Sequence, residues 1–510
     1  MTTVTRFTID EPEALAGVLP DGVRLESRGP VRSLDRTYLD TFDWRVHAAG
    51  GRLAAESDAD GLTLRWLPLD GDPFTVTGGR FPRWVDDLPA GHLRDLLTPA
   101  VGIRALLPAA EAVVEREELR AVDAAGNLLG MVALERARPA DADGSSAPPR
   151  TTVQLEGVGG DADGLALLTA FEDTLVTSDD ELHEWSALRG RTPGDYTTKP
   201  SLAVGPEAPA SVALRSILGQ LHDVCAANVP GVLADHDVEF LHDLRVSMRR
   251  ARSAISQLDG VLPGDARELT CELKWIGGIT GPCRDLDVYL LEMPASRAML
   301  PEALRDDLAP LERHIRTARS RARRRVARAL RSERFGRLMG TWTAVAADTD
   351  TAGARRADRP IGDLAASRIR KAHRRIVRRG KGLGEDPPAA ALHQLRIDAK
   401  KLRYLLEFFG ELFDPARVDA LVKELKRLQD LLGGFNDMDV QRRRLREFAA
   451  ELKDDPDVPA AALLAMGHLE AALESRQETF RHGFGERFAA FAAPAVRDEV
   501  AALFGAGGRS

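Results

Sequence analysis

The chain of 510 residues is too long for a single hydrophobic core, so two or three domains are expected. Hydrophobic residues make up 44% of the sequence, which suffices for globular cores, and the formal charge of −8 argues against indiscriminate binding to nucleic acid. The charge is uneven, because residues 1–200 carry 20 Lys and Arg against 34 Asp and Glu, whereas residues 201–510 carry 50 against 44. The basic chemistry therefore belongs to the second part of the chain.

Targeting signals and cysteines favour a cytoplasmic protein. The N-terminus lacks a basic segment followed by an apolar one, and no run of 18 apolar residues occurs, so no membrane partner is expected. Cys225, Cys271 and Cys283 form no CxxC pair and no metal-binding spacing with His. We therefore expect reduced thiols and no metal site among them.

Residues 1–199 are predicted to form a β-rich domain. Alternation of apolar and polar residues predicts strands near 3–9, 61–66, 113–120, 128–138 and 151–158, followed by a helix near 164–175. A segment rich in Pro, Ala and Gly at 200–210 is predicted to link this domain to the next.

Helical periodicity dominates residues 211–510. Predicted helices span 214–229, 238–258, 266–280, 285–293, 302–333, 361–380, 389–412, 416–432, 437–453 and 459–490. Residues 346–359 are predicted to be a hinge, which gives repeat one at 211–345 and repeat two at 361–490. Paired antiparallel bundles would follow from this order.

One predicted helix in each repeat carries a basic row. In the first, His242, Arg245, Arg249 and Arg252 fall within an arc of roughly 80° at about 100° per residue. In the second, His393, Arg396, Lys400 and Arg403 recur at the same spacings. We call these two rows the stripes. Each stripe is about 15 Å long at about 1.5 Å per residue, which suits a polyanion better than a single phosphate.

The stripes belong to an internal duplication. Lys274 and Lys426 occupy matching positions downstream, and Asp285-Leu286-Asp287 matches Asp437-Met438-Asp439. A solvated charged face would explain one stripe, but it does not explain why both copies keep the same basic row. The duplication favours two stripes that face a shared cleft.

The stripes and the Asp-x-Asp-Val segments resemble those of CHAD domains, helical domains named for their conserved histidines. The resemblance implies two pseudo-symmetric helical bundles around a basic groove that binds inorganic polyphosphate. It places His242, Arg245, Arg249, Arg252, Lys274, His393, Arg396, Lys400, Arg403 and Lys426 at the ligand. Arg offers a rigid fork of donors to phosphate oxygens and Lys a point charge, so no catalytic residue or metal is needed.

Further residues are assigned roles with less direct support. Arg368, Lys371, Arg375 and Arg378 repeat the stripe spacing and are added as polyphosphate candidates, although the matching positions of repeat one are uncharged. Asp285, Asp287, Asp437 and Asp439 are interpreted as helix N-caps and as partners that orient the arginines, rather than as metal ligands. Each stripe histidine either contacts the ligand or is a structural residue of its bundle.

Residues 1–199 look like a CYTH domain, similar to the triphosphate tunnel metalloenzymes, through Tyr38-Leu39-Asp40-Thr41-Phe42-Asp43. The resemblance implies an antiparallel β-barrel, so the predicted fold class is multidomain α+β: a CYTH-like barrel followed by an all-α, CHAD-like domain of two duplicated bundles. The family's opening Glu-x-Glu-x-Lys is replaced by Thr3-Val4-Thr5-Arg6-Phe7, and its paired late acids are reduced to Glu156. Mg²⁺ or Mn²⁺ would be a cofactor only if activity survived this loss of hard oxygen ligands.

Three functions remain open from the sequence. The first is non-catalytic binding of polyphosphate, with an association with polyphosphate granules implied by the resemblance alone. The second is hydrolysis of triphosphate or polyphosphate in the N-terminal domain. The third is binding of nucleic acid by the same groove, which is disfavoured because only Tyr404 interleaves with the stripes and no base-stacking platform is evident.

Overall fold

The computed structural model describes residues 5–9, 12–70, 73–140, 147–156, 162–177, 180–384 and 387–505. Contacts divide the chain into two units, Met1–Thr197 and Thr198–Ser510. The predicted fold class is confirmed, because the first unit is built on an antiparallel sheet and the second is helical. Within the described residues, no helix combines the length and apolar character that crossing a membrane requires.

The sheet of the first unit has ten described strands. They are β1 (Thr5–Ile9), β2 (Arg24–Ser27), β3 (Arg32–Asp40), β4 (Gly51–Asp58), β5 (Gly61–Pro68), β6 (Phe74–Gly78), β7 (Leu107–Val122), β8 (Leu128–Pro139), β9 (Arg150–Glu156) and β10 (Val176–Thr177). Thr3 and Val4 of the predicted first strand lie outside the described residues.

The strands pair antiparallel in the order β10-β1-β9-β8-β7-β3-β4-β5-β6, with β2 on β7. The described strands thus follow an open path with ends at β10 and β6. The helices of this unit are α1 (Arg45–Ala48), α2 (His92–Val101), α3 (Ala162–Thr174) and α4 (Glu181–Leu188). Helix α3 covers one end of the sheet, where the rings of Phe171 and Phe7 lie 5.7 Å apart and both side chains are fully buried.

The second unit contains twelve described α-helices. They are α5 (Ala210–Ala234), α6 (Val238–Gln257), α7 (Asp265–Leu291), α8 (Met293–Ala298), α9 (Ala309–Leu330), α10 (Glu333–Ala347), α11 (Ile361–Lys381), α12 (Ala389–Phe409), α13 (Pro415–Leu452), α14 (Ala460–His482), α15 (Phe484–Phe491) and α16 (Pro494–Leu503). Within each repeat the helix that carries the stripe, α6 or α12, packs against its predecessor and its successor.

The two repeats are joined symmetrically where α5 and α11 begin. Pro209 and Pro360, 151 positions apart, form an isolated antiparallel bridge. The amide of Ala210 donates to the carbonyl of Arg359, and the amide of Ile361 donates to the carbonyl of Ala208, each at 2.9 Å. This spacing equals the separation of the two stripes, so the bridge and the stripes reflect one duplication.

Two predicted helix breaks are wrong. Residues 266–280 and 285–293 belong to the continuous helix α7 as far as Leu291, and 416–432 and 437–453 belong to α13 as far as Leu452. Glycines near these positions, such as Gly281 and Gly433, are tolerated inside the helices, because tertiary packing outweighs a propensity cost of about 1 kcal/mol per glycine.

Candidate functional site

Local sequence explains why α6 presents its stripe to one side. The carboxylate of Asp237 caps the helix by accepting the amides of Glu239 at 2.8 Å and Phe240 at 3.3 Å. Gly231 of α5 lets Phe240 approach, because a Cβ there would lie 2.1 Å from the phenyl ring. The buried face of α6 holds Leu244 and Met248, so the basic residues remain at the margin of the bundle.

The two stripes approach each other near Arg249 and Lys400. Helices α6 and α12 pack against each other. The pKa of Lys400 is lowered to about 8 by burial and by the positive charges of Arg396 and Arg249, while Asp437 opposes the shift. One residue from each repeat therefore lies in the same electrostatic neighbourhood.

Arg245 is held by the neighbouring helix α7. Its Nη1 donates to the carbonyl of Gly277 at 3.0 Å and to Oγ1 of Thr280 at 2.8 Å. Burial and the charge of Arg249 lower its pKa, although Asp285 opposes them. Arg245 thus fixes the helix pair with one nitrogen and adds positive charge next to Arg249.

The second stripe is held by α13. Nδ1 of His393 lies 2.7 Å from Oδ1 of Asn436, which places a proton on Nδ1. Nη2 of Arg396 lies 3.6 Å from Oδ1 of Asp437, a loose ion pair at an exposed carboxylate. His393 is itself exposed, so Nε2 can meet a ligand.

The ends of the stripes differ from their centres. Nε of Arg403 donates to Glu407 at 2.7 Å, and the other oxygen of Glu407 accepts Arg250 of α6 at 2.8 Å. Arg403 is therefore part of an ionic link between α12 and α6. His242 and Arg252 are half-buried on α6, whereas Lys274 and Lys426 are exposed on α7 and α13.

The four aspartates cannot cap helices, which corrects the N-cap interpretation. Asp285 and Asp287 lie inside α7, and Asp437 and Asp439 lie inside α13, where the backbone amides are already bonded within the helix. Three of them contact arginines. Asp287 accepts Nε of Arg319 at 2.6 Å, and Asp439 lies 3.0 Å from Arg443 one turn away.

Asp285 faces cations of both repeats. Burial raises its pKa, while the positive charges of Arg245, Arg444, Arg284 and Arg249 oppose that shift. Arg444 belongs to α13, so α7 and α13 contribute to the same neighbourhood as α6 and α12.

The candidates of α11 lie elsewhere. Lys371, Arg375 and Arg378 line a cavity of about 990 Å³ between α11 and α16, and Arg368 with Lys371 and Arg375 lines a smaller one of about 170 Å³ beside α12. None of the stripe residues lines either cavity. The structure thus separates the α11 candidates from the two stripes.

The first unit encloses a cluster of paired charges that sequence reasoning missed. Arg36 is 2% exposed and contacts Glu56 and Glu135 at 2.7 Å and Glu181 at 3.2 Å. Arg6 lies 2.6 Å from both Glu135 and Glu181. These partners keep the pKa of buried Glu135 well below its usual range despite burial.

Arg116 and Arg65 complete this cluster, which we call the Arg–Glu cluster: Arg6, Arg36, Glu56, Arg65, Arg116, Glu135 and Glu181. Arg116 lies 2.6 Å from Glu135, and Arg65 lies 3.3 Å from Glu56. Each carboxylate already binds arginines, so the cluster does not offer the free oxygen ligands that Mg²⁺ or Mn²⁺ requires. Across the described parts of the chain, no group of three or more His, Cys, Asp or Glu is placed to hold a metal ion.

Comparison with known proteins identifies relatives. The family model described as CHAD domain matches residues 215–446. An uncharacterized protein from two strains of Mycobacterium tuberculosis is 28% identical over 450 residues, which cover 83% of this chain and 83% of that protein.

Two solved structures show a likeness to the chain. The crystal structure of the CHAD domain from the plant Ricinus communis is 29% identical, covers 61% of this chain and 98% of its own, and has a TM-score of 0.48. PptA from Streptomyces chartreusis is 20% identical, covers 55% of this chain and 99% of its own, and has a TM-score of 0.41. The helical region is assigned to the CHAD family by the match of the family model. The antiparallel sheet that precedes it in the chain agrees with the CYTH resemblance.

Proposed function

We propose that the helical region, which the CHAD domain model matches over residues 215–446, binds inorganic polyphosphate along the two stripes without catalysing a reaction. The observation that carries the proposal is that α6 and α12 pack against each other, so that the charge of Arg249 in repeat one acts on Lys400 in repeat two. Like charges held together raise the free energy of the unliganded protein, and a polyanion that lies between them relieves this repulsion.

The chemistry of the stripes fits a phosphate polymer. Guanidinium groups of Arg249 and Arg396 supply forked donors, Lys400 supplies a point charge, and the exposed ring of His393 supplies a further donor when protonated. A chain of phosphates with one charge per unit matches cations repeated along two helices. Arg403 and Arg245 contribute charge but are partly engaged by protein partners.

Catalysis in the first unit is not part of the proposal. Hydrolysis of a triphosphate requires a metal held by carboxylates and basic residues that can bind the leaving phosphates. In the Arg–Glu cluster, Arg6 and Arg65 are bound to glutamates. We expect no release of phosphate from tripolyphosphate or long-chain polyphosphate in the presence of Mg²⁺ or Mn²⁺, and metal-dependent release would revive the hydrolase alternative.

Nucleic-acid binding is the remaining alternative. Tyr404, the aromatic residue between the stripe positions, stacks on Phe408 with ring centroids 6.2 Å apart, so its inner face is already covered. Base stacking supplies much of the affinity for single strands, whereas phosphate contacts alone do not distinguish the two polymers. We expect long-chain polyphosphate to displace single-stranded RNA from the full-length protein. RNA that displaces polyphosphate at equal phosphate concentration would favour the alternative.

The direct test compares polyphosphate affinity of three full-length proteins by titration. The Arg249→Ala/Lys400→Ala variant removes one cation from each stripe. The Arg321→Ala/Arg325→Ala variant removes the same charge from exposed positions of α9. We expect binding to weaken about tenfold or more in the first variant and little in the control. Equal losses in both variants would mean that only net charge matters.

A further inference from the structure

Helix α11 carries a basic row that the stripe spacing did not reveal. Arg370, Arg374, Arg378 and Lys381 recur three or four residues apart and line the cavity of about 990 Å³ between α11 and α16. Lys371, Arg375 and, from α16, Arg497 line it as well. We call this cavity the α11–α16 pocket. None of the described residues that line it is a carboxylate.

Among the described residues, most cations of this pocket have no acidic partner. Within the described residues, no ion pair within 4.0 Å involves Arg370, Lys371, Arg374, Arg378, Lys381 or Arg497. Arg375 alone reaches a carboxylate, Asp398, at 3.8 Å. The acidic neighbour Glu499 of α16 is engaged by Arg417 at 2.5 Å instead. By contrast, Arg442 and Arg319 on other helices of this unit each contact two carboxylates.

A buried histidine of the pocket also experiences the positive charge of one of its arginines. His373 lines the pocket, is 2% exposed, and has an Nε2 atom without a hydrogen-bond partner among the described protein atoms. Burial and the charge of Arg497 lower its pKa to about 4, so the ring is neutral at neutral pH. Val377, Val500 and Ala501 form the apolar part of the wall.

The pocket faces away from the stripes. Asp398 lies about 180° around α12 from the centre of its stripe, at about 100° per residue. Arg375 and Arg379 of α11 contact this opposite side, at 3.8 and 2.5 Å from Asp398. A ligand in the α11–α16 pocket is therefore separated from the second stripe by the body of α12.

We propose that the α11–α16 pocket is a second anion site, which binds a small ligand through a triphosphate group. A volume of about 990 Å³ is that of a small-molecule site rather than of a track for a long polymer. The pocket is lined by seven cationic side chains, whose total charge of +7 exceeds the charge of about −2 on one phosphate. A ligand with several linked phosphoryl groups would match this charge better. The apolar wall leaves room for an organic group attached to the triphosphate.

Titration of the full-length protein with ATP and with tripolyphosphate, both without metal, tests this proposal. The pocket variant is Arg370→Ala/Arg374→Ala/Arg497→Ala. Its matched control is Arg313→Ala/Arg321→Ala/Arg325→Ala, which removes three exposed arginines of α9. We expect the pocket variant to bind both ligands about tenfold or more weakly and the control to bind them nearly as the unaltered protein does. Tighter binding of ATP than of tripolyphosphate would assign the organic group to the apolar wall, and equal binding would assign the site to the triphosphate alone.

A second variant tests the pocket without removing any cation. Ala501→Glu places a carboxylate at an exposed position of the wall, where it can pair with the arginines that line the pocket and compete with the ligand. We expect weaker triphosphate binding with an unchanged thermal unfolding midpoint. Unchanged triphosphate affinity in both pocket variants would overturn the proposal.

The site is independent of the proposed polyphosphate function, and one further titration separates the two. Arg249→Ala/Lys400→Ala is expected to keep triphosphate affinity while losing long-chain polyphosphate, and the pocket variant is expected to show the reverse. If the stripe variant alone loses triphosphate, that ligand binds at the stripes and the second site does not exist. If neither variant loses long-chain polyphosphate, the stripe proposal fails whatever the pocket does.

Discussion

Arg249 of α6 and Lys400 of α12 occupy matching positions in the two repeats, and the charge of the first lowers the pKa of the second. Burial is the largest cause of the shift, and Arg396 contributes as well, so that the pKa falls to about 8. At Lys400, the positive charge of the first stripe affects the protonation of a residue in the second stripe. The protonation of Lys400 therefore reports directly on whether an anion enters between the two stripes.

The first prediction concerns pH. A bound polyanion favours the charged form of Lys400 and raises its pKa from about 8 towards the ordinary value of 10.5. Binding therefore takes up a proton at pH values between these two pKa values. Affinity for long-chain polyphosphate should be fully present below pH 8 and should fall as the pH rises from 8 to 10. Calorimetry in buffers of different ionisation enthalpy measures the proton uptake at pH 9.

Lys400→Arg is the matched control for this pH dependence, because Arg stays charged throughout the window. The variant should bind with an affinity that is flat between pH 8 and pH 10. A decline of the same steepness in the variant would mean that some other group titrates and that Lys400 does not meet the ligand.

The second prediction separates the centre of a stripe from its end. Arg403 is engaged by Glu407 at 2.7 Å, and Glu407 keeps Arg250 as a partner when Arg403 is removed. Arg403→Ala should therefore weaken polyphosphate binding by less than about threefold, whereas Lys400→Ala should weaken it about tenfold. Titration of both variants at one salt concentration compares them. Equal losses would show that Glu407 releases Arg403 to the ligand.

The third prediction concerns the stability of the first unit. Glu135 is fully buried and accepts Arg6, Arg36, Arg116 and Gln154. Glu135→Gln leaves the four arginines of the Arg–Glu cluster with two carboxylates, Glu56 and Glu181, and should lower the free energy of unfolding by about 3–5 kcal/mol. Urea unfolding of the full chain, followed by a signal from the first unit, measures the loss.

Glu118→Gln serves as the control, because Glu118 forms an exposed pair with Arg28 at 3.6 Å. This change should cost about 1 kcal/mol or less. The greater excess of arginines over carboxylates in Glu135→Gln should also make that variant respond to anions, so tripolyphosphate should raise its unfolding midpoint more than it raises that of Glu118→Gln. A Glu135→Gln protein as stable as the control would contradict the role assigned to the Arg–Glu cluster.

Sequence periodicity was sufficient to predict the helical stripes and their duplication. His242 to Arg252 and His393 to Arg403 each lie within one helix, so their relative placement follows from about 100° per residue. The breaks predicted before Asp285 and Asp437 are wrong, because α7 and α13 run continuously through both positions. Local propensity is a weak guide when a helix is buried on several sides.

The charged residues of the first unit could not be predicted as a cluster. Arg6, Arg36, Arg116, Glu135 and Glu181 come from β1, β3, β7, β8 and α4, and no spacing along the chain links them. Sheet topology brings them together, because β3 and β8 both pair with β7.

The α11–α16 pocket was hidden for a similar reason. Arg497 joins cations of α11 that precede it by more than 100 positions, and only the packing of α16 makes one wall from both. The helical spacing of Arg370, Arg374 and Lys381 nevertheless predicts that they share one face of α11.

The most direct test of polyphosphate binding along the stripes is the salt dependence of affinity. Each cation that meets the polymer releases counterions, so the slope of log affinity against log salt decreases by roughly 0.7–0.9 for each contact removed. Arg249→Ala/Lys400→Ala should bind more weakly and with a slope smaller by about 1.5 than the unaltered protein, while Arg321→Ala/Arg325→Ala should keep the original slope. A stripe variant that keeps both the affinity and the slope of the unaltered protein would contradict the proposal that polyphosphate lies between the stripes.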